Sequence, residues 1–301
     1  MPEYSLSAIE SMLRDLPRAE FRARLRRDLE RMSTTMMTTS EVSVAGTVRK
    51  GFRTVTPYVV VRDAPGLIEF AARAFGAEET GRFVGAGLHA EVRIGDSMLM
   101  IGGGMPPGRP YDGPQWTTAF HIYVPDTDAV HERAIRAGAT SVGEPMDHPY
   151  GERSSGVKDA FGNTWYIATA QGEHHVPRGM QTVNVYLHPL RAEPLIAFMT
   201  NAFGAGNVQK FASPDGVIQH AQVTIGDTVI EMGEASGPYQ PMPTRFYLYV
   251  ADVDGGHRRA LNAGATSISE PMDLPYGERV AGVADAFGNQ WYLATPLRRV
   301  E

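Results

Sequence analysis

The sequence predicts an α+β protein of four βαβββ modules whose strands form cup-shaped antiparallel sheets, with an N-terminal helical extension in front of them. The first observation is a duplication, since the segment from Glu144 to Thr169 returns from Glu270 to Thr295 with identity at 20 of 26 positions. The second is a fixed order of periodicities in each copy: a β-branched run, a helical stripe, then alternating strands. Further matches upstream extend each copy to about 115 residues.

The first module of each copy begins with a strand and a helix. Val55 to Val61 is a β-branched run that predicts the strand. Pro65 suits the first turn of the helix that follows, and Gly76 suits its C-terminal cap. Between them, apolar residues recur at the spacing of a helix that packs on one face. These stripes are Leu67, Phe70, Ala71, Ala74 and Phe75 in the first copy, and Leu195, Phe198, Met199, Ala202 and Phe203 in the second.

Short turns join the strands that follow each helix. Gly95-Asp96 and its counterpart Gly226-Asp227 each separate two alternating runs, which predicts two-residue hairpins. A second module follows in the first copy, with a strand from Ala119 to Val124 and a helix from Asp128 to Ala137. The last strand of this module ends at Thr169. Its alternation points the side chain of Trp165 at the helices, so we expect Trp165 to be a core residue.

The repeats divide the chain into an N-terminal helical extension and linker at 1–50, a first domain at 51–172 and a second domain at 180–298. Within the extension, two short amphipathic helices are split at Pro17 and carry an arginine-rich face that acidic residues dilute. We expect this face to be solvated on helices that dock to their own chain or to a sister subunit. A homodimer through these helices, and a lid over a binding site, are open alternatives.

The composition excludes several classes of function. With a net charge of −6, the chain lacks the basic field that holds a nucleic acid. The absence of cysteine removes disulfides, thiolate nucleophiles and sulfur-rich zinc sites. Because no apolar run reaches the roughly 18 residues of a membrane span, and the N-terminus carries no export signal, we expect a cytoplasmic protein without a membrane partner.

Several motifs together resemble the vicinal oxygen chelate (VOC) superfamily, specifically its PhnB-like glyoxalase and bleomycin-resistance branch. They are AFGAEE from Ala74, HAEVRIGDS from His89, AGAT from Ala137, PYGER from Pro149 and DAFGN-x-WYIAT from Asp159, in this order. The resemblance covers both copies and implies tandem domains of paired βαβββ modules. Members include metal-dependent isomerases, ring-cleaving dioxygenases, epoxide-opening resistance enzymes and proteins that sequester a drug without metal, so the fold leaves the function open.

The resemblance also implies where metal ligands would lie. Metal-using members place His, Gln or Glu at inward positions of the first and last strands of the two modules. These positions hold Thr56, Met100, His121 and Tyr166 in the first copy, and Asn184, Glu231, Tyr247 and Tyr292 in the second. Only His121 and Glu231 are good ligands, whereas catalytic zinc usually has three from the protein. We therefore predict no cofactor, with a divalent metal at an unconventional set as the alternative, either His89 with His121 or His188, His220 and Glu231.

Strand alternation predicts the side chains that line each hollow, whether a cup closes within one copy or pairs modules across copies. Grouped by copy, they are Tyr58, His89, His121, Tyr123 and Tyr166, with Trp116 near the rim, and Tyr186, His188, His220, Tyr247 and Tyr292. The positions implied by the resemblance add Met100 to the first group and Glu231 to the second. Aromatic walls of this kind suit a flat organic ligand. Arg153 and Arg279, each in a P-Y-G-E-R turn, are predicted either to bind a ligand carboxylate or to pair with Glu152, Asp159 and their counterparts and fix the turn.

The missing metal ligands and the tyrosine-rich walls favour a metal-independent protein that binds or sequesters a small aromatic or natural-product-like molecule. The alternative is a lyase, isomerase or dioxygenase that uses the same cavity through His and Tyr acid–base chemistry or an unconventional metal. His89, His121 and Tyr166 are then the catalytic candidates. A third alternative is an interaction protein whose contact surface is the pair of N-terminal helices.

Overall fold

The computed structural model describes residues 47–85, 87–106, 108 and 111–297. The predicted N-terminal helices, with their dimer contact, lie outside these residues. Within the described part, four helices and sixteen strands build two eight-stranded sheets. None of the described helices is long and apolar enough to cross a membrane.

The first module shows how the sequence specifies each element. Its elements are β1 (Val55–Val61), α1 (Ala64–Phe75), β2 (Glu78–Val84), β3 (Leu88–Ile94) and β4 (Ser97–Gly103). Helix α1 begins after Asp63, whose carboxylate accepts a hydrogen bond from the Gly66 amide at 3.0 Å. It ends at Gly76, which adopts a left-handed conformation with φ of 71°. The predicted strand, helix stripe and cap are therefore confirmed.

The other three modules repeat this order. The second contains β5 (Ala119–Tyr123), α2 (Thr127–Arg136), β6 (Thr140–His148), β7 (Glu152–Lys158) and β8 (Thr164–Ala170). The third contains β9 (Val183–Leu187), α3 (Ala192–Phe203), β10 (Gly206–Ala212), β11 (Ile218–Ile225) and β12 (Thr228–Met232). The fourth contains β13 (Arg245–Tyr249), α4 (Val253–Asn262), β14 (Thr266–Leu274), β15 (Glu278–Ala284) and β16 (Gln290–Pro296).

Each sheet combines modules from both copies. The order of the first sheet is β14-β15-β16-β13-β1-β4-β3-β2, which joins the fourth module to the first. The second sheet runs β10-β11-β12-β9-β5-β8-β7-β6 and joins the third module to the second. The modules meet through antiparallel pairs, with Thr56 opposite Tyr247 and His121 opposite Asn184. The grouping of hollow residues by copy is therefore wrong.

Most neighbouring strands are antiparallel, as predicted, but each sheet also contains parallel pairs and is therefore mixed. In every module the first strand lies parallel to the last, as in the pairs β1·β4 and β5·β8. The reason lies in the connection. The three strands after the helix form a meander, and its third strand returns beside the first strand in the same direction.

The helices cover one face of each sheet, and the core lies between them. The indole N–H groups of Trp165 and Trp291 are buried and donate to Asp159 and Asp285 at 2.9 and 3.0 Å. Both tryptophans are thus core residues with satisfied polar atoms. We call the opposite face of the first sheet the first hollow, and the opposite face of the second sheet the second hollow.

Two hairpin tips lock the sheets to each other. The Thr54 amide donates to the Asp227 carboxylate at 2.8 Å, and the Thr182 amide donates to Asp96 at the same distance. Each tip is a two-residue Gly-Asp turn, as predicted, and reaches the residue before the first strand of the other copy. Gly226 has φ of 59°, and an added Cβ would collide with the side chain of Thr54. Only glycine fits there, because the turn needs positive φ and the other copy lies too close.

We expect Gly226→Ala to lower the free energy of unfolding by about 1–3 kcal/mol, because it adds both backbone strain and a collision with Thr54. Gly216→Ala is the matched control, since Gly216 has φ of 84° but no atom within 4 Å of an added Cβ. Urea unfolding followed by circular dichroism measures both. Equal losses of unfolding free energy in the two variants would show that the collision with Thr54 does not contribute to the effect.

Candidate functional site

A buried ion pair lies at the centre of the second hollow. Nδ1 of His121 on β5 lies 2.9 Å from the Glu231 carboxylate on β12, although the two residues are 110 positions apart. Strand pairing brings them together, because β9 lies between β5 and β12. His121 on β5 is opposite Asn184 on β9, and Tyr186 on β9 is opposite Glu231 on β12. Glu231 is 1% exposed and His121 is 8% exposed. The family positions that sequence analysis assigned to different copies therefore meet in one site.

The electrostatics of this pair favour its charged form. Burial alone lowers the pKa of His121, but the charge and hydrogen bond of Glu231, with the charge of Glu152, outweigh it and raise the pKa above its ordinary value. Burial raises the pKa of Glu231, but His121, His220 and Gln222 together bring it below its ordinary value. Each partner therefore favours the charged form of the other, an imidazolium beside a carboxylate.

A second set of polar groups surrounds this pair. Nε2 of His121 lies 3.7 Å from the Glu152 carboxylate, which also accepts a hydrogen bond from the Tyr123 hydroxyl at 2.8 Å. On the other side, the Gln222 amide donates to Glu231 at 3.3 Å. Nε2 of His220 lies 3.7 Å from the same carboxylate. A continuous polar row thus runs from Tyr123 through the ion pair to His220.

Aromatic rings form the wall beside this row. The Tyr166 hydroxyl lies 2.9 Å from Nε2 of His188, and Tyr186 packs edge-on against Tyr166 with ring centroids 5.4 Å apart. Tyr239, from the loop between β12 and β13, stacks on His188 at 5.3 Å and is 48% exposed. Burial lowers the pKa of His188 to about 4, so this ring is neutral at neutral pH. The aromatic wall is therefore uncharged, and the charged groups of the second hollow lie in the polar row.

The first hollow has a different interior. The Arg49 guanidinium pairs with the buried Glu91 carboxylate at 2.7 Å, and the nearby ring of Phe52 meets Tyr249 edge-on with centroids 6.2 Å apart. Val48 and Phe52 pack against an apolar cluster that includes Met100. The described chain from residue 48 to residue 52 thus fills part of this hollow, a contact that strand alternation gave no means to find.

The remaining predicted residues divide between the two hollows. Tyr58, His89, Met100, Trp116, Tyr247 and Tyr292 belong to the first hollow, and His121, Tyr123, Tyr166, Tyr186, His188, His220 and Glu231 belong to the second. The catalytic grouping of His89 with His121 and Tyr166 is therefore wrong, as is the metal pair of His89 with His121. Nδ1 of His89 instead lies 3.0 Å from the Tyr58 hydroxyl.

The two arginines of the P-Y-G-E-R turns lie on the helix side of the sheets, not in the hollows. Arg153 forms a two-point contact with Asp128 at 2.5 and 2.7 Å, and Arg279 contacts Asp254 at 2.6 and 2.8 Å. Each arginine therefore connects its turn to the first turn of the neighbouring helix. The role is the predicted structural one, but the predicted partners Glu152 and Asp159 are wrong, since Glu152 accepts from Tyr123 and Asp159 from Trp165. The glutamate before each arginine points the other way, as Glu152 shows, because successive strand residues face opposite sides.

Comparison with known proteins now assigns the family. A family model described as the Glyoxalase/Bleomycin resistance protein/Dioxygenase superfamily matches residues 52–167 and 191–293. The chain belongs to this superfamily. A Mycobacterium tuberculosis protein described as uncharacterized is 37% identical over 120 residues, which are 36% of this chain and 71% of that protein. A Mycobacterium bovis protein named "Putative glyoxylase CFP32" is 25% identical over 221 residues, 70% of this chain and 82% of that one.

A solved structure supports the tandem architecture of this superfamily member. Glyoxalase I from Zea mays matches with a TM-score of 0.64 and 18% identity, and the match covers 81% of this chain and 92% of the maize chain. At this identity the likeness shows the fold alone.

The residues of the hollows do not fit the metal site of the superfamily. In the first hollow the four positions hold Thr56, Met100, Tyr247 and Tyr292, with no imidazole or carboxylate among them. In the second they hold His121, Tyr166, Asn184 and Glu231, and the two good ligands are hydrogen-bonded to each other. Among the described residues no three His, Asp or Glu side chains are arranged to hold a metal ion. The predicted set of His188, His220 and Glu231 is therefore not arranged as a metal site either.

We expect Glu231→Gln to lower the pKa of His121 below its ordinary value of 6.5, because burial then dominates. The variant should also lose about 1–3 kcal/mol of stability. In the wild type, the stability from His121 is present at low pH and lost as pH rises through its raised pKa. The stability from Glu231 is lost as pH falls through its lowered pKa.

Histidine NMR titration and pH-dependent urea unfolding measure these effects. Glu193→Gln is the control, because Glu193 is an exposed carboxylate that pairs with Lys210. An unchanged His121 titration in Glu231→Gln would show that the two groups are not coupled.

Proposed function

We propose that this protein binds a small aromatic molecule in the second hollow without a resident metal. The observation that carries this proposal is the buried pair of His121 and Glu231 beside an uncharged aromatic wall. Such a site offers stacking area together with one strong donor and one strong acceptor. A ligand with a hydroxyl or carbonyl group on a flat ring matches both features.

The duplication supports a role for the pair in binding. At the positions of His121 and Glu231, the first hollow carries Tyr247 and Met100, so the same scaffold forms there without a charged pair at these two positions. A buried ion pair is usually no more stabilising than well-packed apolar side chains. The fold therefore does not need this pair, and perturbed titratable groups in a concave site are typical of functional sites.

Binding of 4-nitrophenol tests the proposal, because it is a flat phenol whose absorbance changes with ionisation. We expect a saturable spectral change with wild-type protein, and at least about tenfold weaker binding for Glu231→Gln through loss of a charge-assisted hydrogen bond. Met100→Leu is the matched control, because Met100 holds the equivalent position in the first hollow and the change conserves volume. Equal binding by all three proteins, or no binding at all, would contradict the proposal.

A second candidate function is acid–base catalysis in the same hollow, by an enzyme of the lyase, isomerase or dioxygenase class. The polar row favours it, because it places the titratable groups of Tyr123, Glu152 and His121 side by side, with Glu152 bonded to Tyr123 and 3.7 Å from Nε2 of His121. His121 would act as the acid, since Glu231 favours its protonated form. The mycobacterial relative named as a glyoxylase and the PhnB-like motifs are compatible with both functions.

Elemental analysis of protein purified without chelators tests the proposed independence from metal. We expect less than stoichiometric Ni, Zn, Mn or Fe, because His121 and Glu231 are the only good ligands at the family positions of the second hollow. Glu231→Gln serves as the comparison, since it removes one of those two ligands. A metal present at one equivalent in wild-type protein and lost in Glu231→Gln would replace the binding proposal with a metal-dependent one.

A further inference from the structure

Arg245, the first residue of β13, gives the first hollow a feature that sequence analysis did not find. Its guanidinium carbon lies 4.8 Å from the centre of the Trp116 ring and 5.3 Å from that of Tyr292. The Tyr58 ring is the third neighbour, at 5.9 Å. The equivalent residue in the other copy is Ala119, so this cation is specific to the first hollow.

The guanidinium has no counter-ion among the described residues. Its Nε donates to the Gln290 side chain at 3.1 Å, and no described carboxylate forms an ion pair with it. Other half-buried arginines of the described chain are paired, as Arg49 is with Glu91 and Arg279 with Asp254. The two terminal nitrogens of Arg245 therefore have donor groups without a charged acceptor.

A second donor in the same cluster also has no acceptor. The indole nitrogen of Trp116 is buried and has no hydrogen-bond partner among the described residues. Buried polar groups are normally satisfied, so an unpartnered donor beside an unpaired cation indicates a missing acceptor. A carboxylate supplies two acceptor oxygens and matches the geometry of a guanidinium.

Neither buried carboxylate of the first hollow forms an ion pair with Arg245. The carboxylate of Glu91 pairs with Arg49, and that of Glu278 accepts a hydrogen bond from Tyr247. Burial lowers the pKa of His89, which keeps its ring neutral, and burial raises the pKa of Tyr58 to about 12. Arg245 is thus the cation that an anionic ligand would meet here.

We propose that the first hollow binds an aromatic carboxylate. Its carboxylate accepts hydrogen bonds from the terminal nitrogens of Arg245, with Trp116 as a further donor. Its ring packs among Tyr58 and Tyr292, which already form an aromatic layer around the guanidinium. This site is separate from the second hollow and independent of the function proposed for it, because no residue belongs to both.

Isothermal titration calorimetry with 2-naphthoate and its neutral analogue 2-naphthamide tests this assignment. We expect 2-naphthoate to bind with one equivalent per chain and at least about tenfold more tightly than 2-naphthamide, because only the acid makes a charge-assisted contact. Arg245→Gln should remove this preference, and Arg245→Lys should keep part of it. Trp116→Phe should weaken 2-naphthoate binding several-fold, since it retains the ring but lacks the N–H donor.

Two variants serve as controls. Arg73→Gln removes an exposed arginine on α1 and should leave binding unchanged. Glu231→Gln alters only the second hollow and should also leave it unchanged. Loss of 2-naphthoate binding in Glu231→Gln but not in Arg245→Gln would place the ligand in the second hollow and overturn the inference, without contradicting the proposed function. Equal affinity for acid and amide, or displacement of 2-naphthoate by equimolar inorganic phosphate, would also overturn it.

Discussion

The pairing of strands between the two copies determines the rest of this structure. Strands β1 and β13 join one sheet, and β5 and β9 join the other, so neither copy builds a complete sheet by itself. The Gly-Asp hairpin tips secure this arrangement, because Asp96 and Asp227 each accept an amide hydrogen bond from the opposite copy. A backbone contact this close explains why both turns use glycine at positive φ.

Cross-copy pairing also decides the chemistry of the two hollows. It brings His121 and Glu231 together in one hollow and leaves Met100 and Tyr247 in the other. One interior is therefore an acid–base pair within an aromatic wall. The other holds Arg245 in an aromatic layer, next to an apolar cluster covered by residues 48 to 52. Duplication has preserved the scaffold and produced two sites that differ in their charged groups.

Sequence reasoning succeeded where the signal was local. Period-two alternation identified His121, Tyr166 and Tyr186 as hollow-facing, the family resemblance added Glu231, and the structure places each on that face. It did not identify Glu152, although the same alternation points this residue away from Arg153 and into the second hollow. Arg245 was missed for a different reason, since a single arginine at the start of a strand has no motif, and its meaning depends on three rings from distant segments.

The sequence by itself determined the duplication, the four modules, the hairpin turns, the core tryptophans and the side chains that face away from the helices. These features depend on residues within a few positions of one another, so periodicity and turn chemistry specify them. Only the tertiary structure decided which modules share a sheet. Pairing within a copy or across copies satisfies the same alternation, and the choice depends on contacts between residues more than a hundred positions apart, such as His121 and Glu231. The identity of each site follows from that choice.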